Sequence, residues 1–137
     1  MGNNYNSIIR MAMKARKNSY SPYSGFKTGA CLKDIYGNFY TGCNIENAAF
    51  SPTNCAERTA FFKAVSEGVK EFESIAIVGG LLEIKDYCPP CGVCRQVMME
   101  FCNPESFKII LAKSENDYKE ILLKDLLPEG FGRLSLK

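Results

Sequence analysis

Apolar residues first recur at helical spacing. Over residues 5–16, Ile8, Ile9, Met11, Ala12, Met13 and Ala15 predict a helix, with Lys14 and Arg16 near its end, where the helix dipole favours cations. The period then changes. Phe26, Thr28, Ala30 and Leu32 alternate with Lys27, Gly29, Cys31 and Lys33, the two-residue rhythm of a strand. Tyr36-Gly37-Asn38 reads as a turn, and residues 39–44 as the returning arm of a hairpin. Ala56, Ala60, Phe61, Ala64 and Val65 share one face of a second helix, closed by Gly68. Short apolar runs at 74–79 and 107–112 predict buried strands. Between them lie a loop at 81–90 and a third helix whose apolar face is Val93, Cys94, Val97, Met98, Phe101 and Cys102. Asn116-Asp117 reads as a turn before an edge strand at 118–122, and a short helix at 123–127 stops at Pro128. Residues 18–25 and 47–54 carry the Ser, Asn and Pro of loops.

Helices alternating with apolar strands imply a sheet covered on both faces. The expected fold is α/β: a three-layer α/β/α sandwich with a mixed five-stranded sheet, in one domain spanning residues 1–137. The unit from Ile75 to Leu111 reads as a strand–helix–strand crossover, expected to be right-handed. At 46% apolar, 23% charged and net charge +2, the chain is unlike a disordered segment and lacks the strong positive charge of a dedicated nucleic-acid binder. No run reaches the ~18 apolar residues a spanning helix needs, and the first residues lack an export signal pattern. The expectation is a cytoplasmic protein without a membrane or nucleic-acid partner.

Seven Cys and no His sharpen the picture. Without imidazole, proton transfer near pH 7 falls to a tuned carboxylate, a thiol or a metal-bound water. Cys55 opens the second helix in Cys55-Ala56-Glu57-Arg58, and Cys91 and Cys94 open the third in Pro90-Cys91-Gly92-Val93-Cys94-Arg95-Gln96. The CxxC spacing puts two sulfurs on one helical turn, and helix N-termini favour thiolates. Three protein ligands with one position left open are the pattern of a catalytic zinc. Glu57 stands two residues from Cys55, placed to carry protons without binding the metal. Three alternatives remain open at this level: a redox pair, a closed structural site that adds Cys88, and a capping box from Asn54 to Glu57.

Cys-x-Glu opening one helix and Pro-Cys-x-x-Cys opening another form the Cys variant of the zinc nucleobase deaminase signature. Ser21-Pro22-Tyr23-Ser24-Gly25-Phe26, Gly42-Cys43-Asn44-Ile45-Glu46-Asn47-Ala48, Cys55-Ala56-Glu57-Arg58-Thr59-Ala60, Cys91-Gly92-Val93-Cys94-Arg95-Gln96 and Leu126-Leu127-Pro128 follow in order. By these pieces the chain resembles the small homotetrameric cytidine deaminases over most of its length. The resemblance implies hydrolysis of cytidine and deoxycytidine to uridine and deoxyuridine, with Zn²⁺ on Cys55, Cys91 and Cys94 and Glu57 as proton carrier. It implies Asn44 and Glu46 on the ribose hydroxyls, Phe26 against the pyrimidine, and the Ala56 N–H on a base oxygen. Its tetramer makes Phe50 and Phe131 candidates to close pockets of neighbouring subunits. Three thiolates on Zn²⁺ leave an excess negative charge, and Arg58, with Arg95 beside it in the reading, is suited to offset it.

The chain departs from the family pattern in places. Phe50 stands where Tyr is common, Pro89-Pro90 replaces Ser-Pro, Cys88 is extra, and the ending after Phe131 differs. Cys88 is expected to be a bystander, while Cys31, Cys43 and Cys102 read as packing residues. Rival readings are deamination of a modified nucleoside or nucleoside antibiotic, polynucleotide editing, and a structural zinc module on Cys55, Cys88, Cys91 and Cys94.

Overall fold

A computed structural model describes residues 4–136. The elements are α1 (Asn6–Arg16), β1 (Lys27–Asp34), β2 (Phe39–Cys43), α2 (Ala56–Ser66), β3 (Phe72–Gly80), α3 (Gly92–Phe101), β4 (Lys108–Ser114), β5 (Asp117–Leu122) and α4 (Leu123–Leu126), followed by a 3-10 turn at Arg133–Leu136. The five strands form one sheet in the order β2-β1-β3-β4-β5. β1 pairs antiparallel with both β2 and β3, β3 pairs parallel with β4, and β4 pairs antiparallel with β5. The mixed sheet is the one expected.

Strand parity splits the core into two layers. Ala30, Leu32, Ile75, Ile77, Ile109 and Leu111 face α2 and α3, where they meet Ala60, Phe61, Ala64 and Met98. Cys31, Ala76, Val78, Ile110 and Ala112 face α1, where they meet Ile8, Ile9 and Ala12. Phe61 centres the first layer, edge-on to Phe72 at 5.1 Å between ring centroids. Truncating a fully buried Phe of this kind to Ala costs about 3–5 kcal/mol. In the second layer α1 lies almost on the strand backbone: a Cβ at Gly29 would stand 2.1 Å from the Ala12 carbonyl oxygen.

Small differences from the expectation have local causes. β3 begins at Phe72, two residues early, because Phe72 is buried while Glu73 between it and Ser74 points outward. Val93 sits at the exposed start of α3 and is 57% exposed, so it leaves the apolar face that Met98 and Cys102 keep. The final 3-10 turn had no sequence signal.

β1 lies between β2 and β3 and runs against both, so β2 and β3 point the same way. The chain therefore leaves both strands at one end of the sheet, and α2 and α3, which follow them, start there. That topology sets two helix N-termini side by side.

Candidate active site

The helix starts are capped by cysteines. Cys55 is the N-cap of α2 and Cys91 of α3, both in extended conformation. The Cys91 sulfur accepts the backbone N–H of Cys94 at 3.4 Å. Cys55 and Cys91 sulfurs are 3.7 Å apart, Cys91 and Cys94 sulfurs 3.4 Å, and all three lie within 4.8 Å of one another. Tetrahedral zinc with sulfurs at ~2.3 Å separates them by about 3.8 Å, so the set fits zinc. The donor chemistry agrees: thiolates select soft ions such as zinc. Donation from Cys94, with further help from the Arg58 guanidinium and Cys91, holds the Cys55 thiol down to about 5, and the same contact pushes Cys94 up. Three adjacent sulfurs share protons in this way unless a cation lets all three ionise.

Glu57 is 5% exposed in the first turn of α2. Burial pushes its carboxyl up to about 7, the neighbouring Cys55 sulfur adding to the push while its own N–H, Arg58 and Cys94 oppose it. A carboxyl near neutrality can both take and return a proton. The capping-box alternative is not formed: Cys55, not Asn54, is the N-cap, and the Asn54 amide donates to the Thr59 hydroxyl at 3.1 Å. The Thr59 hydroxyl in turn shares its one hydrogen between the carbonyls of Cys43 and Cys55, each at 3.1 Å, tying α2 to the end of β2. The first turn of α2 also rests on Gly42, where a Cβ would stand 2.4 Å from the Ala56 carbonyl oxygen.

Arg58 reaches the sulfurs, its Nη2 donating to Cys55 at 3.3 Å while Nε stays buried without a partner among the described residues. Arg95 does not join it. Its Nε donates to the Pro90 carbonyl and its Nη1 to the Leu126 carbonyl, both at 2.7 Å. Cys88 stands outside the sulfur cluster, its Sγ packed over Gly79, and burial pushes its thiol up to about 11. Burial likewise raises Cys31, Cys43 and Cys102, as packing residues should be raised.

Asn44 and Glu46 organise the wall beside Phe26. The Asn44 Oδ1 accepts from the Ser19 hydroxyl and the Thr28 N–H, and its Nδ2 donates to the Phe26 carbonyl at 2.8 Å. The Glu46 carboxylate accepts the Tyr23 and Ser24 N–H groups, at 3.0 and 3.1 Å, and the Ser24 hydroxyl. The Ser24 hydroxyl above all, with the two N–H groups, holds its carboxyl below the usual range, although desolvation opposes them. One N–H of Asn44 and one acceptor site of Glu46 remain for a ligand. Phe26 is 38% exposed and lines a cleft of about 540 Å³ with Gly79, Leu81 and Tyr87. The Ala56 N–H, at the first position of α2, has no partner within the helix. Phe50, 73% exposed with φ +60°, borders a second cleft with Glu46 and Tyr23, while Phe131 is exposed farther along the chain. Reading the sequence missed three groups here: Ser19, Thr59 and Tyr87. Only Thr59 lay inside the quoted motifs.

Residues 3–109 match the family described as the cytidine and deoxycytidylate deaminase zinc-binding region. A cytidine deaminase of Sporosarcina psychrophila is 47% identical over 129 residues, which is 94% of this chain and 92% of that protein. One of Halalkalibacterium halodurans is 47% identical over 124 residues, 90% of this chain and 91% of that protein. The crystal structure of cytidine deaminase from Burkholderia pseudomallei superposes with a TM-score of 0.85 at 41% identity, covering 94% of this chain and all of that one. With the sulfur cluster, the buried carboxyl and these matches in agreement, the chain belongs to the cytidine and deoxycytidylate deaminase family.

Proposed function

We propose that this protein hydrolyses cytidine and 2'-deoxycytidine to uridine and 2'-deoxyuridine, releasing ammonia, as a single catalytic domain in cytoplasmic pyrimidine salvage. The observation that carries the reading is a buried carboxyl, Glu57, set beside three converging cysteine sulfurs. Cys55, Cys91 and Cys94 hold zinc, which when bound supplies a Lewis acid that makes water nucleophilic near neutral pH. Glu57 takes a proton from the attacking water and passes it to N3 of the ring as the C4–O bond forms. It then takes the second proton from the new C4 hydroxyl and delivers it to the amino group, the C4–N bond breaks as ammonia leaves, and the carbonyl of uridine remains. Arg58 offsets the negative charge of the thiolates. Phe26 packs on the pyrimidine, the Ala56 N–H meets the base oxygen, and Asn44 and Glu46 offer their remaining donor and acceptor to the ribose.

Phe50 and Phe131, exposed in one chain, complete pockets of neighbouring copies in a homotetramer. No described helix is long and apolar enough to cross a membrane. The test is a zinc-loaded Glu57→Ala protein assayed by the ultraviolet change as cytidine becomes uridine. General acid–base catalysis contributes about 10²–10⁴-fold, or roughly 3–5 kcal/mol of barrier. Because Glu57 moves more than one proton per cycle, the variant should lose at least that factor while keeping its metal. Retained turnover would sink the mechanism.

A further inference from the structure

The two arms of the sulfur cluster are supported unequally. Cys55 begins a helix anchored to β2 through Thr59 and through close packing on Gly42. Cys91 is exposed, and the chain reaches it through the irregular stretch 81–90. Pro90 before it and Cys94 after it are buried, but the exposed Cys91 itself has little packed around it. Its peptide plane is set instead by hydrogen bonds: the Arg95 N–H to the Cys91 carbonyl at 3.0 Å, and the Arg95 side chain to the Pro90 carbonyl at 2.7 Å.

The same guanidinium grips the Leu126 carbonyl at the end of α4, one of the last-turn carbonyls with no partner inside the helix. A planar fork is suited to holding two carbonyls in fixed directions, which a lysine ammonium is not. The next residue, Gln96, donates to the Phe131 carbonyl at 2.9 Å, so the C-terminal segment lies along α3. We propose that Arg95 is a positioning residue for the metal site: it clamps the Pro90–Cys91 turn to the end of α4, which braces the Cys91 ligand. The proposal rests on the reading that Cys55, Cys91 and Cys94 hold zinc.

The test compares the zinc-loaded protein with Arg95→Met, which keeps an apolar stem and removes every donor, Arg95→Lys, and Gln96→Leu. Zinc loss to a chromophoric chelator is followed, and the Co²⁺-substituted proteins are compared by their thiolate-to-metal charge-transfer bands. Loss of a supporting partner of this kind weakens metal binding about 10–100-fold. Arg95→Met should lose affinity on that scale with a shifted Co²⁺ band, and Arg95→Lys should recover only part of it. Gln96→Leu, which frees Phe131 but leaves the turn clamped, should release zinc like the parent. Wild-type affinity and spectrum in Arg95→Met would overturn the proposal, even if its melting point fell. Equal losses in Gln96→Leu would overturn it too, by showing that any loosening of the C-terminal segment suffices. A parent protein that held no zinc would instead refute the metal reading itself.

Discussion

Gly42→Ala tests how α2 delivers Cys55. A Cβ at this position would meet the Ala56 carbonyl oxygen at 2.4 Å, the Ala60 nitrogen at 2.7 Å and the Thr59 Cβ at 3.0 Å. Ordinary contact begins near 3.4 Å, so the first turn of α2 must lift by about 1 Å. Two of the three atoms are backbone and cannot rotate away. Overpacking of this kind costs about 1–3 kcal/mol, and the rigid neighbours place it at the upper end. For a chain of this size that is roughly 8–12 °C in Tm. The larger effect is local. Metal–ligand distances tolerate about 0.2 Å, and a misplacement of about 1 Å at a reacting centre costs on the order of 10²-fold. The assay is zinc per chain, Tm, and kcat/KM for cytidine. Gly29→Ala serves as the comparison, because it creates a still closer clash under α1 on the opposite face. It should lower Tm while the folded fraction keeps its zinc. Wild-type zinc content and kcat/KM in Gly42→Ala would refute the idea that helix-to-strand contact sets the position of Cys55.

Two further outcomes are expected. Desolvation alone would raise the buried Asp34 carboxyl, but hydrogen bonds from Asn38, the Tyr36 N–H and the Tyr40 hydroxyl outweigh it and hold it below its ordinary value. A depressed carboxyl stabilises the fold above its unfolded pKa of about 3.9 and loses that contribution as pH falls through the folded value. Asp34→Asn should cost about 1–3 kcal/mol at pH 7 by urea unfolding, with the gap narrowing in acid; a gap unchanged at pH 3 would contradict this. Cys88→Ala should keep one zinc per chain and remain active, since Cys88 lies outside the sulfur cluster; loss of metal would revive a four-cysteine structural site.

Much of the fold is legible because burial is periodic. The alternation from Phe26 to Lys33 marks β1, and the spacing of Ala56, Ala60, Phe61 and Ala64 marks the buried face of α2. The three sulfurs were legible as chemistry, since they cluster at the starts of two helices. That they meet came from the motif and its resemblance rather than from periodicity, because the meeting depends on β1 lying between two parallel strands, which no local pattern encodes. Side-chain reach was the other blind spot. Arg95 sits in a motif that pointed to charge balance, yet its donors go to Pro90 and Leu126. Asn44 and Glu46 were read as sugar contacts, and the structure shows most of their bonding capacity spent on residues 19–28. Tyr87 gave no signal, although it hydrogen-bonds Asp117 at 2.6 Å and lies under the ammonium groups of Lys113 and Lys119.

The central place of β1 sets an order of events during synthesis and folding. Cys55 and Cys91 are separated by 36 residues, and they become neighbours only when β1 has paired on both edges. One edge closes locally through the β1–β2 hairpin. The other waits for β3, a far more distant segment, and such closures are slow. A partly folded chain can offer an ion two sulfurs from the Cys91–Cys94 turn, but the third arrives with the finished sheet. Metal uptake by all three sulfurs therefore follows completion of the sheet.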